Sequence, residues 1–154
     1  MKIGIGCDHA GYEGPPPLYK PTIVEYLKDK GIEVVDYGTF SADPVDYPDF
    51  AKAVCEGLLK GEVEMGILLC GTGLGVSMSA NRFRGIRATV CTTPLMAKLA
   101  RTHNNSNALC LGRRILSIEQ CLEIINIWLN TPFSGEERHQ RRLEKLDKLG
   151  DLTC

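Results

Sequence analysis

Along the chain, short runs of apolar and β-branched residues alternate with longer segments whose apolar positions recur at helical spacing. The runs cover 2–6, 32–36, 65–70, 86–91 and 108–111, lengths that suit strands buried on both faces of a parallel sheet. Helix-start signals mark the segments between them. Proline stands at a first-turn position at Pro21, Pro48 and Pro94, the last preceded by Thr93, and these helices are predicted to end before Gly31, near Gly61 and at about Thr102. Proline is tolerated there because the N–H it lacks would have no partner within the helix. Ser117 with Gln120 forms a capping box that opens an apolar-faced helix over 118–130. A last helix over 136–149 is heavily charged, with Leu143, Leu146 and Leu149 as a thin apolar stripe, which predicts packing on another surface such as a partner chain.

Strands alternating with helices predict a three-layer α/β architecture: a doubly wound (Rossmann- or flavodoxin-like) sheet of five parallel strands with helices on both faces. No internal repeat or composition break divides the chain, so one domain is expected over 1–154. The one low-complexity stretch is Gly14-Pro15-Pro16-Pro17.

Composition narrows the function classes. A chain of 154 residues with 44% hydrophobic content buries roughly two-thirds of its unfolded surface and needs no metal or disulfide staple. A net charge of −1 argues against nucleic acid or an acidic membrane as the main partner, since both demand a basic excess. The Met1–Gly4 start lacks an apolar signal core, and the longest uncharged stretch, 65–81, is broken by Gly66, Gly71, Gly73 and Gly75. Neither export nor a membrane span is expected. Seven scattered cysteines, without metal or redox spacing, fit a reducing cytoplasm.

In open parallel sheets ligands bind beyond the carboxyl ends of the strands. Three such ends are polar or glycine-rich: Gly6-Cys7-Asp8-His9-Ala10-Gly11, Cys70-Gly71-Thr72-Gly73-Leu74-Gly75 and Gly112-Arg113-Arg114. The second serves either as a tight strand-to-helix turn or as an anion cradle, and it is neither a Walker loop nor a dinucleotide fingerprint. Cys70, ahead of that loop, is either a reactive thiolate or a buried filler, while Cys7 reads as structural. Asp8-His9 is either a buried hydrogen-bonded pair or a ligand-binding pair. His103 is either a cap whose charge meets the helix dipole or a site residue. On the last helix Arg138 and Arg142 share a face, and neither is expected to find an acidic partner on its own helix, unlike Arg141 with Glu137 and Glu144. Such a pair either grips an external phosphate or stands solvated.

These segments, together with Asp46-Tyr47-Pro48-Asp49, Asn81-Arg82-Phe83-Arg84-Gly85-Ile86-Arg87-Ala88, Arg101-Thr102-His103-Asn104 and Arg138-His139-Gln140-Arg141-Arg142, resemble the type B ribose-5-phosphate isomerases and their galactose- and allose-6-phosphate isomerase relatives. The resemblance runs from Lys2 to about Leu149. It implies a cofactor-free, metal-free aldose–ketose isomerase of the pentose phosphate pathway, acting on ribose 5-phosphate and ribulose 5-phosphate. A hexose 6-phosphate is the alternative substrate, and a non-catalytic sugar-phosphate or nucleotide binder the alternative class. Under the resemblance Cys70 is the base that works through a cis-enediolate, and the Gly71, Thr72, Gly73, Leu74 and Gly75 backbone holds the oxyanion. His103 opens the sugar ring, Asp8, His9, Tyr47 and Asn104 contact substrate, and Arg114, Arg138 and Arg142 lie on the phosphate side. Helices run antiparallel to the strands here, so His103 should lie at the sheet edge opposite Cys70. A homodimer, or a tetramer built from it, with the site shared between subunits is therefore expected. Two departures stand out: residues 13–20 look like an insertion, and Arg113 sits beside Arg114, leaving open which faces the ligand.

Overall fold

A computed structural model describes residues 1–149; Cys154 and the end of the expected domain lie outside the described residues. The strands are β1 (Lys2–Cys7), β2 (Glu33–Asp36), β3 (Met65–Cys70), β4 (Ala88–Val90) and β5 (Ala108–Gly112). The helices are α1 (Tyr19–Asp29), α2 (Tyr47–Leu59), α3 (Leu74–Ala80), α4 (Pro94–Thr102), α5 (Ile118–Asn130) and α6 (Glu137–Leu146). All strand pairs are parallel, in the order β2-β1-β3-β5-β4. The five-stranded doubly wound sheet expected from the pattern is therefore present.

Alternate strand residues feed two cores, as the two-residue period of a strand requires. Ile3, Ile5, Cys7, Ile67 and Leu69 face α1, α4 and α5 through Ile23, Leu27, Ala97, Ile124 and Trp128. On the opposite face Leu68, Cys70 and Cys110 meet Ala51, Val54, Val76 and Ala80 of α2 and α3. Gly6 and Gly66 let α2 lie close to the sheet, because a Cβ on either would meet Val54 at 2.8 Å. The Ser117–Gln120 capping box forms as expected, and the Thr93 hydroxyl accepts from the Met96 N–H at the start of α4.

Several boundaries differ from the pattern. α1 begins two residues before Pro21, at Tyr19, which is compatible with proline because the first four helical N–H groups lack partners. Lys20 is thereby buried, its ammonium bonded to the Asp36 carboxylate and the Thr39 carbonyl. β4 omits Ile86, Arg87 and Cys91: the Ile86 N–H closes a turn onto the Phe83 carbonyl and the Arg87 N–H donates to the Asn107 side chain. α6 stops at Leu146. Of its apolar stripe, Leu143 is buried while Leu146 and Leu149 are exposed.

Strand order reverses between β1 and β3, since β2 follows β1 on one side and β3 joins it on the other. The carboxyl ends of these two strands therefore form the crevice in which a ligand of such a sheet sits.

Candidate active site

The crevice brings Asp8 and Cys70 together. Register pairs Cys7 with Leu69 and Cys70 with Gly112, and the Asp8 N–H donates to the Leu69 carbonyl. Asp8 is 6% exposed; its carboxylate caps the single-turn 3₁₀ helix His9–Tyr12 by accepting the Ala10 N–H at 2.9 Å. Burial pushes the Asp8 carboxyl up, against the opposing hydrogen bond from Ala10. His9 is half-buried, and its Nδ1 accepts the Val45 N–H at 3.4 Å.

Cys70 is 4% exposed, and its Sγ accepts the Gly73 N–H at 3.1 Å. The hydrogen bond is one an anionic sulfur accepts strongly. Gly73 reaches this position with φ +80°, a conformation that side chains disfavour. The Leu74 N–H is directed to the Thr72 hydroxyl at 3.3 Å. Two of the five loop amides are thus committed within the loop itself. The loop rests on the end of β5, where a Cβ on Gly112 would meet the Thr72 backbone at 2.6 Å. Tyr47 closes the other side: a Cβ on Gly75 would meet its ring at 2.8 Å. Burial pushes Cys7, Cys55 and Cys121 up to about 12 and raises Cys91 and Cys110 as well, which holds them as inert thiols.

Arg114 joins this end of the sheet. Its guanidinium packs over Gly71, whose Cβ would lie 3.0 Å from Nη1, and it is ion-paired with Glu13. Arg113 turns the other way and stacks 4.2 Å over the Tyr19 ring. Of the two arginines, Arg114 faces the loop.

A second cluster forms elsewhere on the chain. His103 caps the end of α4, and its ring stacks on His139 of α6 with centroids 4.2 Å apart and planes 14° apart. His103, Asn104, His139, Arg142, Leu143 and Leu146 line a cleft of about 350 Å³. His139 is 4% exposed, and its Nε2 has no hydrogen-bond partner among the described residues. Burial, and then the charges of His103 and Arg138, hold its pKa below the usual histidine value. The sequence motif contained His139 without giving it a role. Its position four residues before buried Leu143 is the signal that places it on the inward face of α6.

One expectation is corrected. Arg138 does have a carboxylate nearby: Glu136, just ahead of α6, accepts from its Nε at 2.8 Å. Glu136 is extended rather than helical, so the three- and four-residue neighbour rule did not reach it. Within one chain the three arginines lie in two places. Arg114 lies by Gly71 at the carboxyl edge, whereas Arg138 and Arg142 lie on α6, where Arg142 shares the cleft with His103. The carbonyl of Asn107, four residues after His103, accepts the Gly66 N–H at the start of β3, and the rise of about 3.3 Å per residue puts the length of that strand between this edge and Cys70. Among the described residues, no group of three or more His, Cys, Asp or Glu side chains is arranged to hold a metal ion, and no helix is long and apolar enough to cross a membrane.

An open parallel sheet with a thiol, a carboxyl group and an imidazole at its switch point defines an α/β enzyme with a small-molecule site. The chain belongs to the ribose/galactose isomerase family, whose model matches residues 3–146, and it is an isomerase. It is 44% identical over 145 residues to ribose-5-phosphate isomerase B of Escherichia coli, covering 94% of this chain and 93% of that protein. It is 38% identical to galactose-6-phosphate isomerase subunit LacB of Clostridium acetobutylicum, covering 97% and 83%. Among solved structures, a ribose 5-phosphate isomerase of Thermotoga maritima superposes with a TM-score of 0.90 at 51% identity, covering 96% of this chain and 98% of that one.

Proposed function

We propose that the protein interconverts ribose 5-phosphate and ribulose 5-phosphate, with Cys70 as the base. The observation that carries this reading is the sulfur of Cys70 at the switch point, beside Asp8 and bonded by the Gly73 N–H. In the open-chain aldose the Cys70 thiolate takes the proton from C2. The electron pair becomes the C1–C2 double bond of a cis-enediolate, and the negative charge collects on O1. Loop amides not already committed to Cys70 and Thr72 face that charge, a preorganised stabilisation of the kind that supplies the largest share of many enzymes' catalysis. A proton passes from the C2 hydroxyl to O1, which moves the charge to O2; the C2–O2 carbonyl then forms as the thiol returns its proton to C1, giving the ketose. A base and an acid distinguish this reading from a binding module, which needs neither.

Asp8, His9 and Tyr47 line the sugar end, with Arg114 above Gly71 as a phosphate-side contact. His103 opens the ring, with Asn104 beside it and Arg138 and Arg142 for the phosphate. Because one chain holds Cys70 and His103 at opposite sheet edges, the complete site joins two subunits, in a homodimer or a tetramer of such pairs. The exposed Leu146, and Leu149 just beyond α6, suit this end of the chain to that contact. Free, buried cysteines favour a reducing cytoplasm.

Assaying the purified protein with ribose 5-phosphate, allose 6-phosphate and galactose 6-phosphate tests the substrate. We expect the highest kcat/KM for ribose 5-phosphate; a higher value for a six-carbon sugar overturns that assignment and favours the hexose reading to which the LacB relative points. Cys70→Ala should abolish turnover while inorganic phosphate still binds. Retained turnover would return Cys70 to the core.

A further inference from the structure

The inserted segment and the extra arginine meet in space. Arg113, stacked on Tyr19, directs its Nη2 to the carbonyl oxygens of Glu13 and Gly14 at 3.5 and 3.4 Å. The start of the insertion is thereby held against the end of β5, while Gly14 to Pro17 stand exposed. From that position the Glu13 carboxylate reaches Arg114, accepting from Nε at 3.2 Å and from Nη2. The Arg114 pair pulls the Glu13 carboxyl below its usual range, so it is ionised at neutral pH.

Which edge Glu13 takes matters. A guanidinium offers two bidentate edges, Nε–Nη2 and Nη1–Nη2, each a fork that matches a carboxylate or a phosphate, and Glu13 takes the first. The other side of Arg114 lies over Gly71, whose Cβ would be 3.0 Å from Nη1 and 3.4 Å from Cδ. One of the two forks of Arg114 is therefore filled by a carboxylate from the same chain.

We propose that Glu13 is a tethered counter-anion that sets the ligand affinity of Arg114: its carboxylate holds the Nε–Nη2 edge and part of the cation's charge against a substrate phosphate, and Arg113 holds Glu13 where it competes. The inference rests on the reading of Arg114 as a phosphate contact. The insertion is then a device that weakens and tunes substrate binding. Exposed ion pairs are individually weak, so the effect is a modest one, about three- to fivefold.

The test measures inorganic phosphate affinity by calorimetry and the KM for ribose 5-phosphate in the wild type, Glu13→Gln, Arg114→Ala and the double variant. We expect Glu13→Gln to tighten phosphate and lower KM by about three- to fivefold. The same change made in the Arg114→Ala background should have no effect. Arg113→Gln, which releases the segment, should act in the same direction as Glu13→Gln. Unchanged or weaker phosphate binding in Glu13→Gln overturns the proposal if Arg114→Ala itself weakens phosphate. If Arg114→Ala leaves phosphate affinity unchanged, it is the phosphate reading of Arg114 that fails, and the competition with it.

Discussion

The Gly73 N–H lies 3.1 Å from the sulfur of Cys70, and no other described cysteine receives a backbone N–H in this way. The other sulfurs donate weakly to carbonyl or hydroxyl oxygens, as Cys7 does to Thr39 and Cys55 to Ala80, or are held as thiols by burial. Iodoacetamide should therefore modify Cys70 before Cys7, Cys55, Cys91, Cys110 or Cys121, and ribose 5-phosphate should slow that reaction. Peptide mapping by mass spectrometry reads the order. First modification at Cys7 or Cys121 would contradict the distinction.

The loop that supplies this amide depends on a missing side chain. A methyl group at residue 112 would stand 2.6 Å from the Thr72 carbonyl carbon and oxygen, and neither backbone has room to yield without moving the loop. Gly112→Ala is expected to cost about 1–3 kcal/mol in stability, as overpacking does. It should lower kcat/KM by about 10²-fold, the loss that follows a displacement near 1 Å. Urea titration and steady-state kinetics check the two parts separately.

His139 gives a pH dependence with a definite sign. Its folded-state pKa lies below the ordinary value of 6.5, so the folded protein binds fewer protons there than the unfolded chain. Its contribution is present in full above 6.5 and is lost as the pH falls through that value toward the lower folded pKa. Melting temperatures taken across this range should fall on acidification, and His139→Asn should flatten the fall. A steeper acid loss in the variant would reverse the sign.

The layout of the sheet was legible because short apolar and β-branched runs alternate with segments whose starts are marked by proline or a capping residue. Cys70, Asp8 and the glycine loop were legible for the same reason, as they sit at strand ends that the pattern alone locates. What local pattern could not show is pairing across the chain. His139 gains its place from His103, and Glu13 meets Arg114 at a separation of 101 residues. Glu136 escaped because it pairs with Arg138 from an extended residue, where helical spacing does not apply. β4 came out shorter than its apolar run because side chains of neighbouring loops bond the backbone at its start.

The proposed division of the site between two chains makes a demand that one mixing experiment meets directly. Cys70→Ala and His103→Ala chains, each inactive alone, are refolded together and the heterodimer is isolated with two affinity tags. In such a pair one of the two sites keeps both Cys70 and His103, so about half the wild-type activity per dimer should return, by the two-fold symmetry of such assemblies. A verified heterodimer with no activity would contradict a shared site.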